Sequence, residues 1–250
     1  MRLRIITSPA KKMRVVDAPP WPVREPAFLP RARRLAEELK ALTRDEAQAL
    51  WRCSDRLADL NYERVRTMDL ARGDTAAVIA YEGIQYTHMA PEVMSEGELA
   101  WLDEHLRILS GLYGMLRPLD SVVPYRLEMQ ARLAADGARD LYGFWGDSLY
   151  EALAAECDLI VNVASVEYAR AVIPFEREGG PQVLTCLFGV LRDGHLRQPA
   201  TEAKAARGTF IRWCAERGVE GPDELRDFRE RGYALDERRS DAATLVFVRG

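Results

Sequence analysis

At 250 residues, with 48% hydrophobic and 30% charged residues, the chain has ordinary globular composition and enough length to bury a sizeable core. A net charge of −4 excludes a polycation, so any anion-binding surface has to be a local patch. No run approaches the roughly 18 apolar residues of a spanning helix, and no signal-peptide pattern opens the chain, so a cytoplasmic location without membrane attachment is expected.

The first 34 residues hold nine Lys/Arg against only Asp17 and Glu25, one candidate basic patch. Residues 3–6 read as a short strand running into the polar loop Thr7-Ser8-Pro9-Ala10-Lys11-Lys12. Five prolines between 18 and 30 predict an extended surface connection. Helix is expected over 31–41. Thr43 and Glu46 form a capping-box pattern that opens a second helix through Trp51. Ser54-Asp55 starts a third, with Leu57, Leu60 and Val65 inward. Residues 76–81 look strand-like. Ser95 and Glu98 are another capping box, and Leu99, Leu102, Leu106 and Leu109 give helical spacing. A helix over 148–156, strands over 158–163 and 182–191, a hairpin turn at 192–194, a helix over 202–217 and a last strand over 244–248 complete the reading. Elements of both kinds alternate without a linker or repeat, which predicts one mixed α/β domain over 1–250.

The four cysteines (Cys53, Cys157, Cys186, Cys214) include no Cys-x-x-Cys pair and read as buried apolar side chains in a reducing compartment. The three histidines are scattered, and no cluster has metal-ligand spacing, so neither metal nor cofactor is expected. Nucleotide-binding glycine motifs and hydrolase elbows are absent as well.

The most constrained stretch is 105–129, with glycines at 111 and 114, prolines at 118 and 124, arginines at 107, 117 and 126, and acids at 120 and 128. Its 109–114 segment reads either as a tight helix-to-strand turn or as a phosphate-holding hairpin between helices. Its arginines could converge on an anion, since guanidinium forks match phosphate oxygens. Lys204 and Arg207 share a helix face, with Arg212 displaced around it. Asp55, Glu128, Asn162 and Ser165 are further polar candidates for a cleft, a richer set than nonspecific phosphate binding needs.

The chain resembles the bacterial peroxide-stress protein YaaA family over nearly its whole length. The resemblance rests on Ser8-Pro9-Ala10-Lys11, Ser54-Asp55-Arg56-Leu57-Ala58 with Asn61, the 105–129 stretch, Leu141-Tyr142-Gly143-Phe144-Trp145-Gly146-Asp147, Asn162-Val163-Ala164-Ser165-Val166-Glu167-Tyr168, Ala203-Lys204-Ala205-Ala206-Arg207-Gly208 and the tail from Gly232-Tyr233 to Arg249. It implies a single-domain mixed α/β fold with a twisted sheet, surrounding helices and a basic cleft containing a helix-hairpin-helix-like element. It also implies sequence-independent binding of duplex or branched DNA, and protection against iron-dependent oxidative damage. The chain departs from the family pattern at Ile84 and His88, where an aspartate and a glycine are usual, and at Ala205, where a second lysine is usual.

Two functions follow as expectations. In the first, Lys11, Arg107, Arg117, Arg126, Lys204, Arg207 and Arg212 contact DNA phosphates, the Gly111–Gly114 turn lends backbone donors, and Ser8, Tyr125, Asn162 and Ser165 line the cleft. In the second, an enzyme acts on a nucleotide, nucleobase or DNA lesion with Asp55 or Glu128 as general acid or base. Oligomeric state stays open.

Overall fold

The computed structural model describes residues 1–16 and 20–250. Ala18 and Pro19, at the start of the expected proline-rich connection, lie outside the described residues, as does Asp17. The chain opens with β1 (Leu3–Thr7), buried throughout, and returns after a short loop as β2 (Lys12–Met13). Three helices follow: α1 (Leu29–Ala41), α2 (Arg44–Trp51) and α3 (Asp55–Thr67). Pro30 occupies the first turn of α1, where its missing N–H is no loss, so the helix begins inside the segment expected to be extended. Both reciprocal bonds of the Thr43–Glu46 capping box are made. In α3 the buried residues are Ala58, Asn61 and Val65. Leu57 and Leu60, expected inward, are 41% and 48% exposed. An alanine on the inner face lets this helix approach its neighbours more closely than a leucine would.

Residues 75–82 are not one strand but β3 (Thr75–Ala76), a single helical turn α4 (Ala77–Ala80) and β4 (Tyr81–Glu82). An apolar run buried on every side carries no period that separates helix from strand. Helix α5 (Ile84–Met89) and the capped α6 (Glu96–His105) lead into β5 (Leu106–Ser110), which turns back as β6 (Gly114–Leu116) before the short β7 (Ser121–Val122). Leu106 and Leu109 therefore belong to a strand, not to the apolar stripe of α6. Residues 106–116 form an antiparallel β-hairpin, which corrects the helix-hairpin-helix expectation at this place.

The remaining elements are α7 (Leu141–Trp145), α8 (Ser148–Glu156), β8 (Leu159–Asn162), α9 (Val166–Ala169), β9 (Gln182–Arg192), β10 (His195–Arg197), α10 (Ala200–Arg217), α11 (Pro222–Leu225), β11 (Tyr233–Leu235) and β12 (Thr244–Arg249). The main sheet runs β11-β12-β9-β8-β1-β5-β6, with β10 paired to β9. Five strands, β12, β9, β8, β1 and β5, are parallel, and antiparallel strands close the two ends. The fold is thus mixed α/β, as expected. Central parallel strands are covered on both faces, which explains why β1 and β8 are buried along their whole length.

The topology also points to a site. From β1 the chain crosses to β5 on one side, then returns to β8 on the other and proceeds to β9. The crossovers reverse between β1 and β8. In open α/β sheets ligands bind outside the carboxyl ends of the strands at such a reversal.

Candidate binding crevice

The loops leaving β1 and β8 are stitched together. The Ser165 amide donates to Ser8 Oγ at 2.8 Å, and the Ser8 hydroxyl donates to Ser165 Oγ at 3.2 Å. Helix α5 is tied to the same strand end. Gln85 Nε2 donates to Thr7 Oγ1 at 2.6 Å, and the Tyr86 hydroxyl donates to the Ser8 carbonyl at 3.0 Å. Helix α10 packs on α5 through Gly208, where any Cβ would collide with the Gln85 carbonyl. The segment 125–128 closes the third side. Its backbone passes directly over Gly111, where a Cβ would collide with the Leu127 carbonyl.

These elements enclose a cavity of about 540 Å³, bordered by Ser8, Lys11, Lys12, Ile84, Tyr86, Tyr125, Arg126, Glu128, Ser165, Glu167, Tyr168, Lys204 and Arg207 among others. That volume falls within the ~300–1,000 Å³ usual for small-molecule sites. A second hollow of about 830 Å³, bordered by Trp51, Arg52 and Arg132, shares Lys11 and Glu128 as its common wall.

The charges in the crevice are unevenly satisfied. Glu128 holds Lys11 Nζ at 3.3 Å and Arg126 at 3.1 Å, both on Oε1. Lys12 pairs with Glu82 at 3.1 Å. Lys204 and Arg207 have no carboxylate partner among the described residues. The Arg207 Nε is buried without a hydrogen-bond acceptor, and burial alone depresses the pKa of its guanidinium. A half-buried cation without a counterion is costly, and an anion in the cavity would relieve that cost. Glu167 accepts a hydrogen bond from the Gln130 amide at 3.3 Å. Burial, reinforced by the nearby Glu128 charge, pushes its carboxyl above the ordinary glutamate range. The Tyr125 hydroxyl lies between those of Tyr81 at 2.7 Å and Ser110 at 2.6 Å, and burial pushes it up to about 12. Tyr86 and Tyr168 are likewise raised by burial, so the phenols act as neutral rings and hydrogen-bonding groups.

Of the residues expected at the site, the fold brings together Ser8, Lys11, Tyr125, Arg126, Glu128, Ser165, Lys204 and Arg207. The others serve elsewhere. Arg107 is 1% exposed. It pairs with Glu156 at 2.8 and 2.5 Å, and its NH1 donates to the Asp103, Glu104 and Leu106 carbonyls, which caps the C-terminus of α6. Arg117 lies near Asp103 at 3.7 Å and Glu104 at 3.5 Å. Arg212 pairs with Glu216 one turn along α10 at 2.6 Å. Asp55 stands exposed in the first turn of α3 and accepts from Gln48 at 2.8 Å. Hydrogen bonds from Gln48 and Arg44 hold its carboxyl below the ordinary range, and it does not border the crevice.

Asn162 shapes the turn after β8 by accepting from the Ala164 amide at 3.0 Å and donating to Thr185 at 3.3 Å. Gly111 and Gly114 are packing positions. The first seats the 127–128 backbone, and the second has φ 70° with Trp145 against it. Sequence reasoning missed Tyr86, Glu167 and Tyr168. Glu167 and Tyr168 lie two and three residues after Ser165, in the first turn beyond the loop that leaves β8, which was the available signal.

Among the described residues no group of three or more His, Cys, Asp or Glu is gathered to hold a metal ion, and no helix is long and apolar enough to cross a membrane. Comparison with known proteins gives a family match over residues 3–239, to the family described as peroxide stress protein YaaA. The chain is 45% identical to a UPF0246 protein of Pediococcus pentosaceus over 251 residues, covering 99% of this chain and 98% of the relative. It is 44% identical to a UPF0246 protein of Lactiplantibacillus plantarum over 247 residues, covering 98% and 99%. A third UPF0246 protein, from Desulfitobacterium hafniense, is 41% identical over 247 residues, covering 99% and 98%.

Proposed function

The chain belongs to the peroxide stress protein YaaA family, and we propose that it serves that stress response by binding DNA, taking one nucleotide unit of a strand into the crevice. The observation that carries this reading is Arg207. It is a desolvated guanidinium with no carboxylate partner among the described residues, set in the wall of a nucleotide-sized cavity beside the equally unpaired Lys204. A phosphate is the anion whose oxygens match that fork. The rings of Tyr86 and Tyr168 and the side chain of Ile84 give the same cavity surfaces on which a base can lie.

This reading differs from a long basic groove. Five of the seven cations counted from the sequence, namely Lys11, Arg107, Arg117, Arg126 and Arg212, already face carboxylates. Each phosphate neutralised contributes about −0.9 to the slope of log affinity against log salt, so a seven-cation groove would give roughly −6. Two free cations give about −2. Affinity for a short duplex and for a single strand, measured across salt concentration, tests this. A slope near −2 is the expected result; no binding at low salt ends the proposal.

A second reading, an enzyme acting on a nucleotide or DNA lesion, is favoured by the acids. Phosphate binding alone has no use for Glu128 and Glu167 bordering the same cavity.

A further inference from the structure

We propose that Glu167 and Glu128 are a proton donor and proton acceptor acting together to hydrolyse the N-glycosidic bond of the nucleotide held in the crevice. This rests on the nucleotide reading above and adds a reaction to it.

The two carboxyl groups border one cavity in different surroundings. Glu128 sits against two cations, Lys11 Nζ at 3.3 Å and Arg126 at 3.1 Å, and among the described residues its buried Oε1 makes no hydrogen bond. Glu167 has no cationic partner within ion-pair distance among the described residues and is held by the Gln130 amide, two residues beyond Glu128. Burial first, and the Glu128 charge after it, raise its pKa above the ordinary glutamate range against the lowering effect of the Gln130 and Met129 amides and of Lys11. Two carboxyl groups at one cavity, one donating a proton and the other accepting one, are the apparatus of glycoside hydrolysis.

The surrounding groups fit the substrate. Lys204 and Arg207 take the phosphate, which sets the sugar between them and the acids. Tyr86 and Tyr168 wall the base.

The step balances with water as the only co-reactant. Water attacks C1′ of the sugar while the C1′–N bond breaks, its electron pair passing to the base nitrogen. Glu167 gives its proton to the departing base, and Glu128 takes a proton from the attacking water. The products are the free base and a sugar with a hydroxyl at C1′, an abasic site when the substrate is DNA. A proton returned through solvent from Glu128 to Glu167 restores the starting state.

The full chain would be incubated with oligonucleotides that each carry one test base (the four normal bases, uracil or 8-oxoguanine). Free base is read by mass spectrometry and abasic sites by cleavage in alkali. The expected result is release from at least one oligonucleotide, slowed roughly 10²-fold or more in both Glu167→Gln and Glu128→Gln. Affinity of either variant for that oligonucleotide stays within about threefold of wild type, which shows that both fold and bind. The wild-type rate falls as pH rises through the Glu167 titration, and Glu167→Gln lacks that limb. Binding without release from any oligonucleotide, or release by Glu167→Gln at the wild-type rate, overturns the acid–base pair and leaves the nucleotide reading standing. Failure of the wild type to bind at low salt overturns both.

Discussion

The two ends of the parallel sheet use arginine in opposite ways. Where β5 and β8 begin, Arg4 and Arg107 are buried against Glu104 and Glu156, and Arg107 also closes the end of α6. Where β1 and β8 finish, Arg207 is half-buried with no carboxylate partner among the described residues. Both kinds look the same in a count of basic residues. The difference shows that local abundance of arginine is a poor guide to which guanidinium groups lack a carboxylate partner.

Substitutions that change one of these environments at a time test the contrast. The largest effect is expected from Arg107→Met, which uncaps α6 and leaves Glu156 only the more distant Arg4, at 3.6 Å. Glu156 is partly exposed, so the loss should sit at the low end of the ~3–5 kcal/mol that a broken buried ion pair costs, and urea unfolding should show it. Gly111→Ala follows. Its Cβ would drive into the backbone of Leu127 and Glu128, so the loss is about 1–3 kcal/mol. Because that backbone carries Arg126 and Glu128 into the crevice, affinity should fall along with stability. Arg207→Met does the reverse. It should weaken binding of a short oligonucleotide by about tenfold, near 1.4 kcal/mol, while the melting temperature does not fall, because an unpaired buried charge has been removed.

A smaller effect concerns pH. The folded-state pKa of Glu167 is raised, so the native state binds more protons than the unfolded chain once pH exceeds the ordinary glutamate value. Stability therefore declines as pH rises through that window. Glu167→Gln should melt higher than wild type near neutrality, and the gap should close in acid. The smallest effect belongs to Asp55→Asn. The side chain is exposed and remote from the crevice, so stability should stay within about 0.5 kcal/mol and binding should be unchanged.

Much of the fold was legible because it is written locally. The capping boxes at Thr43 and Ser95, the apolar run of β8 and the hairpin turn at 193–194 all follow from neighbouring residues. The failures share one cause. At 77–80 and 106–109 every residue is buried, and burial on all sides removes the polar face that would fix the period. At the site, Lys11, Arg126, Glu128 and Arg207, singled out by residue identity, border the crevice. Identity did not reveal which cations keep company with acids, because Glu156, Glu104 and Glu216 meet their arginines only through tertiary packing or helix phase. Glu167 escaped notice for the same reason. Its surroundings come from residues 128–130, which are distant in the chain.

The contact at Gly208 has a consequence for how the crevice can vary. Where α10 crosses α5 there is no side chain between them, so main-chain atoms gauge the gap between the wall holding Arg207 and the wall holding Tyr86. Substitutions elsewhere along the two helices can recolour those walls yet leave their spacing alone. Relatives that keep a glycine there would inherit one aperture, and diversify only in what lines it.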